Sequence, residues 1–163
     1  GLCKRYQDVF SYLPEGRFKG VSVKVPLREG AHPRRVPRPA WGPYQRKYPT
    51  WWANEMLRLD LYEQAKPNCQ WSSRVHTAVS RDGAGHVKKF RPCGDYVDVN
   101  TESMPSSQCT ANPKAIVSSM TGHHTYYGEA DFGSAFSQLL LHENSRPVLA
   151  VWTPIGLLQP KVM

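Results

Sequence analysis

Aliphatic residues are what this chain has least of. It has two Ile, and Leu, Ile, Val and Phe together make 33 of 163 residues. That is about 20%, the level below which chains often fail to build a core of their own. Acidic residues are scarce as well: 13 Asp and Glu face 21 Lys and Arg, for a net charge of +8. Such an excess suits an acidic partner: nucleic acid, an anionic surface, or an acidic protein such as tubulin. No apolar run approaches the ~18 residues that cross a bilayer, so no membrane partner is expected. No Asn-x-Ser/Thr sequon occurs, which disfavours a secreted glycoprotein. Cys3, Cys69, Cys93 and Cys109 include no close pair. That is too sparse for a stapled secreted scaffold, and reduced thiols in a cytoplasmic setting are expected.

What the chain does have is proline, glycine and rings: 14 Pro, 12 Gly, 5 Trp, 8 Tyr and 5 Phe. Each proline removes a backbone donor and fixes one torsion, so regular elements are cut short. The rings supply large contact area with a polar handle on Trp and Tyr. The fold expected from this is mostly irregular and extended, a single unit over 1–163 with few secondary-structure elements.

The strongest helix signal covers 50–66, with Thr50 as cap, Pro49 outside and Pro67 closing it. Trp51, Trp52, Met56, Leu57, Leu59, Leu61, Tyr62 and Ala65 lie nearly all round that cylinder, which implies burial on more than one side. A second, short helix is expected over 132–142, where Phe132, Ala135, Phe136, Leu139 and Leu140 keep a helical rhythm and Asp131 caps. Tyr6, Val9, Phe10 and Leu13 allow two helical turns before Pro14. Strands are expected at 21–25, where valines alternate, at 96–99 and at 148–153. Val75–Ser80 and His86–Phe90 flank an Asp-Gly turn and suggest a loose hairpin. The 100–114 stretch and the apolar tail, 154–163, read as irregular. Residues 26–49 form a proline-rich basic arm with a single acid, Glu29. Arg28, Arg34, Arg35, Arg38, Arg46 and Lys47 lie there on polyproline-like chain, with Trp41, Tyr44 and Tyr48 interleaved in the arm.

No catalytic constellation stands out. There is no G-x-S-x-G elbow, and no Cys sits in a local nucleophile signature. His76, His86 and Cys93, or His123 and His124 near Asp131 and Cys109, lack the paired spacing of a zinc module. Gly83-Ala84-Gly85-His86-Val87-Lys88-Lys89 resembles a phosphate loop only in passing; it lacks the full glycine spacing and reads as a turn. No catalytic residue, metal or cofactor is therefore expected, and the chain reads as a binding protein rather than an enzyme.

One stretch carries a likeness. Met120-Thr121-Gly122-His123-His124-Thr125-Tyr126-Tyr127-Gly128-Glu129-Ala130-Asp131-Phe132 resembles segments of the small microtubule inner proteins of cilia and sperm flagella. Arg146-Pro147-Val148-Leu149 and Trp152-Thr153-Pro154-Ile155-Gly156 are similar in style to C-terminal stretches of that family. The resemblance implies a structural, cytoskeletal protein of the axoneme that binds tubulin and other axonemal proteins in the doublet lumen. Arg34, Arg35, Arg38, Trp41, Tyr44, Trp51, Trp52, Tyr126, Tyr127 and Trp152 would be its contacts. Two alternatives stay open. The basic, ring-bearing arm also suits a nucleic-acid-binding or ribonucleoprotein subunit. Four Cys in two disulfides would suit a secreted enzyme or toxin.

Overall fold

The computed structural model describes residues 2–5, 20–105, 112–120, 126 and 135–163. Its centre is a hairpin near the C-terminus. Strands β6 (Val151–Thr153) and β7 (Gly156–Pro160) are joined by Pro154 and Ile155 and pair antiparallel. Gly156 takes φ 139°, a conformation that favours glycine, and the Thr153 hydroxyl donates to its carbonyl at 2.8 Å. Strand β2 (Tyr62–Gln64) pairs antiparallel on the far side of β7. Strand β3 (Ser73–Arg81) runs parallel to β6, and β4 (Val87–Asp95) returns antiparallel to β3. The sheet is therefore five-stranded and mixed, in the order β2-β7-β6-β3-β4. A second, two-stranded sheet pairs β1 (Ser22–Val23) with β5 (Leu140–Leu141) in parallel.

Among the described residues four helices accompany the strands: α1 (Leu2–Arg5), α2 (Pro43–Arg58), α3 (Val97–Glu102) and α4 (Pro113–Met120). Helix α2 lays Trp52 and Ala53 on Val75, Val151 and Leu158 of the large sheet. Trp71, Val99 and Val148 form a second buried cluster, and the Tyr96 ring packs against both. A few large side chains thus do what numerous aliphatic ones do in richer sequences, because one indole or phenol ring covers as much area as two small aliphatic groups.

The structure corrects the fold expected from sequence. It is not mostly irregular with few strands, but a mixed five-stranded sheet with helices packed on it. The main helix begins at Pro43 rather than at 50, because Pro43 suits the first helical position and Gly42 N–H donates to Gln45 Oε1 at 3.3 Å. Pro49 lies inside the helix, buried, instead of outside it. The helix stops at Arg58, well short of 66. Asp60 adopts φ 55°, and Asp60 and Leu61 donate to the carbonyls of Leu57 and Met56, a Schellman-type ending. Lys161 Nζ holds the Asp60 carboxylate at 2.6 Å. The residues beyond turn into β2.

The expected helix over 132–142 is a 3-10 turn (Ala135–Gln138) followed by β5; positions 132–134 lie outside the described residues. Leu141 N–H donates to the Lys161 carbonyl and Met163 N–H to that of Leu139, so pairing with the C-terminal chain overrides the local rhythm. The expected strand at 96–99 is α3 instead, where Tyr96 and Val99 reach the core at a spacing of three rather than two. Of 148–153, only Val151–Thr153 is strand, and Pro147–Leu149 is a 3-10 turn. Of 21–25, Ser22–Val23 is paired strand. The tail read as irregular holds β7, one of the most deeply buried strands, with Leu158 fully enclosed. The two turns expected before Pro14 fall outside the described residues, except that Leu2–Arg5 is helical.

Gly94 marks a close approach within this packing. A Cβ there would meet the Tyr96 ring, with Cζ at 2.8 Å. The ring cannot swing away without leaving both clusters and the hydrogen bond from its hydroxyl to the Leu149 carbonyl, 3.3 Å. Gly94→Ala is expected to destabilise by about 1–3 kcal/mol, the usual cost of overpacking. A urea unfolding midpoint equal to that of the parent would contradict this packing.

Candidate nucleic-acid interface

Among the described residues β3 pairs, beyond its first two positions, with β4 alone, since β6 pairs with Ser73 and Arg74. The rest of the hairpin stands out from the sheet as a two-stranded ribbon. Its turn is built by Asp82, whose Oδ1 accepts from the Ala84 N–H at 3.0 Å and the His86 N–H at 2.9 Å. Gly85 takes φ 85°, and Arg81 Nη1 donates to its carbonyl at 2.9 Å. The glycine-containing stretch is thus a turn, and the hairpin expected from Val75–Ser80 and His86–Phe90 is present and longer at both ends.

Alternation along the strands gives the ribbon two chemically different faces. Val75, Thr77 and Val79 stand opposite Gly94, Pro92 and Phe90 on the side that meets α2. Arg74, His76, Ala78 and Ser80 stand opposite Asp95, Cys93, Arg91 and Lys89 on the other. Lys88 has no opposite number, because the register slips between Ser80 and Arg81. The hairpin from 73 to 95 holds five Lys and Arg against two Asp. Arg74, Lys88, Lys89 and Arg91 are exposed, and none of them pairs with a carboxylate among the described residues. His76 Nε2 lies 4.0 Å from Asp95 Oδ2, and His86 Nδ1 3.5 Å from Asp82 Oδ2. The edge strand is blunted against pairing with another chain by Pro92, the lysines and the irregular register. A narrow ribbon with unpaired cations on one face and its rim is suited to phosphate contacts, and a ribbon of two strands has the width that a nucleic-acid groove admits.

On the inner side the Tyr48 ring of α2 stacks on Phe90 at 4.7 Å, and its hydroxyl donates to the Phe90 carbonyl at 3.2 Å. Burial and the nearby Cys93 raise the Tyr48 phenol above its ordinary range. Deeper in, Trp52, Met56, Tyr62, Val75, Pro92 and Tyr96 line a cavity of about 330 Å³. Burial pushes the Tyr62 phenol up to about 12, and burial together with Tyr62 pushes Tyr96 up as well. Since the folded state favours the neutral phenol, stability is expected to be flat up to about pH 10 and to fall above it. Tyr62 accounts for a loss on the order of 2 kcal/mol by about pH 12. Tyr62→Phe is expected to reduce that alkaline drop, measured by denaturant unfolding from pH 8 to 12. An unchanged drop would show the phenol to be solvated.

The expected contact residues divide sharply. Tyr44 and Tyr126 are almost fully exposed, at 96% and 93%, and Trp51 is 59% exposed. Trp52, at 8%, is core. Of the basic arm read over 26–49, residues 43–49 belong to α2, and the part before Gly42 is fastened to its own body. Ser72 N–H donates to the Arg34 carbonyl and Val36 N–H to that of Ser72, so Arg35 and Ser72 bridge in parallel. Arg34 sits 3.9 Å from Asp98. Arg38 donates to the Pro154 carbonyl at 2.8 Å and lies 5.9 Å over the half-buried Trp152, whose Nε1 donates to the Val36 carbonyl at 2.9 Å. Trp41 is half-buried, and Tyr127 lies outside the described residues. Sequence reasoning missed the ribbon cations. Their signal is present in the sequence, as Lys88 and Lys89 within the expected hairpin strand and Arg91 just beyond it, but the hairpin carries no binding expectation there.

Among the described residues no group of three or more His, Cys, Asp or Glu is placed to hold a metal, and no helix is long and apolar enough to cross a membrane. Cys69 and Cys93 are free thiols, the first buried against the Trp71 and Pro147 carbonyls and the second exposed.

Similarity to known proteins points to retroviral polyproteins. No family model matches the chain. It is similar to the Gag-Pol polyprotein of woolly monkey sarcoma virus, 30% identical over 135 residues, which cover 78% of this chain and 7% of the polyprotein. The same identity and coverage hold for the Gag-Pol polyprotein of gibbon ape leukemia virus. That of koala retrovirus is 36% identical over 61 residues, 37% of this chain and 4% of the polyprotein. The chain therefore spans a small fraction of the length of the curated relatives it matches.

Proposed function

We propose that this chain is a nucleic-acid-holding section of a retroviral-type polyprotein, gripping the strand through the β3–β4 ribbon. The observation that carries the reading is the set of exposed, unpaired cations on a ribbon that projects from the sheet. The reading agrees with a likeness to Gag-Pol polyproteins, and a positively charged grip of this kind holds a strand by its backbone whatever the base sequence. Catalysis by the polyprotein as a whole lies beyond the part this ribbon plays, which is to hold the phosphate backbone.

Fluorescence anisotropy with a labelled 20-nucleotide strand, from 50 to 400 mM salt, tests it. Four phosphate contacts, from Arg74, Lys88, Lys89 and Arg91, give a log–log slope of about −3 to −3.5. Binding that ignores salt, or no binding at the lowest salt, would sink the reading. A second reading, the tubulin-binding structural role, draws on the exposed Tyr44, Trp51 and Tyr126. Co-pelleting with stabilised microtubules, compared with the Tyr44→Ala/Trp51→Ala variant, tests that one separately.

A further inference from the structure

Resting on the nucleic-acid reading, we propose that α2 supplies a base-stacking platform, so that the strand held along this flank is single-stranded. Tyr44, Lys47, Tyr48 and Trp51 stand at i, i+3, i+4 and i+7 and so share one face of α2. On that face Tyr48 packs 5.7 Å from Trp51 and 4.7 Å from Phe90 of the ribbon, which makes a row of three rings crossing from helix to hairpin. Trp51 and Tyr44 remain largely exposed although they are among the chain's largest rings. The row ends at Phe90 on the α2 side of the ribbon, and Lys89 and Arg91, its neighbours in β4, stand on the opposite face, so a strand leaving the rings reaches them round the exposed β4 edge.

Charge on the helix favours the same partner. Arg46 and Lys47 flank the rings and pair with no carboxylate among the described residues. From Pro43 to Asn54 α2 has no Asp or Glu, and the first acid, Glu55, is taken by Arg58 at 2.6 Å. Flat rings beside free cations are the combination that binds unpaired bases by their faces and the backbone by its phosphates. A duplex hides those base faces, so it would gain from the cations alone.

The test uses the whole chain, a fluorescein-labelled 12-nucleotide oligothymidylate and a 12-base-pair duplex of the same length. The single strand is expected to bind more tightly and to quench Trp fluorescence. Tyr44→Ala with Trp51→Ala is expected to weaken the single strand roughly 5- to 100-fold. Duplex affinity should stay within about twofold and the salt slope should not change. Trp51→Phe should keep most of the single-strand affinity. Equal losses on both probes, or none on the single strand, would overturn the platform while leaving the ribbon reading intact. Failure of both probes to bind the parent would overturn both. Polyglutamate competing as well as the oligothymidylate would overturn the platform in favour of an acidic protein partner.

Discussion

Trp52→Ala is expected to cost about 3–5 kcal/mol, while Trp51→Ala, one position away, changes stability by no more than about 0.5 kcal/mol. The two indoles point to opposite environments. Trp52 is enclosed with Ala53, Val75, Val151 and Leu158 and meets Tyr62 edge-on at 5.4 Å. Its removal leaves a hole at the join of α2 and the sheet, beside a cavity that already exists, and the surroundings have few aliphatic side chains with which to collapse. A loss of that size is comparable to the entire stability of a small domain, so the variant should be substantially unfolded at 37 °C. Trp51 gives up only a tilted contact with Tyr48. Thermal and urea unfolding of the two variants settle the point. Equal, small effects would mean that α2 is not seated on the sheet as described.

That contrast also shows what was legible in the sequence. The spread of apolar residues around α2 implied burial on more than one side, whereas the buried Pro49, Trp52 and Ala53 share one side and Trp51 is exposed; a pattern that is apolar all round gives no hint of which indole faces inward. Composition understated the core, because a count of aliphatic residues gives no weight to Trp52, Trp71 and Tyr96, which hold the two clusters together. Pro154, Gly156 and Pro160 made the tail look irregular. In the structure the glycine allows the tight hairpin, and Pro160 lies at the end of β7 opposite Tyr62. Leu139 to Leu141 obey helical spacing yet pair with strands more than twenty residues away at one end and more than a hundred at the other. Local periodicity cannot weigh such partners, since they are set by tertiary pairing. The candidate interface was half legible. The basic, aromatic character of the chain was evident, but it was placed on the 26–49 arm, whose Arg34, Arg38 and Val36 are engaged with Asp98, Pro154 and Trp152. The free cations lie on a hairpin whose projection follows from how little of β3 touches β6.

Replacing Lys88, Lys89 and Arg91 together by Gln is expected to lower affinity for a nucleic-acid strand about a hundredfold at 0.1 M salt. All three are exposed on β4, and none holds the fold through a carboxylate partner, so the variant should unfold at the parent's midpoint. Each lost phosphate contact removes about 0.7–0.9 from the log–log salt slope, so the slope should become shallower by roughly 2–3. The magnitude in affinity follows from the same relation, because the counterion term grows as salt is diluted below 1 M. A control with Lys24→Gln and Lys66→Gln, both exposed and both off the ribbon, removes positive charge without touching the proposed contacts. It should leave the slope nearly unchanged. If the control lowers the slope as much per charge as the ribbon variant does, attraction comes from the net charge of the chain as a whole, and the projecting hairpin has no special part in it.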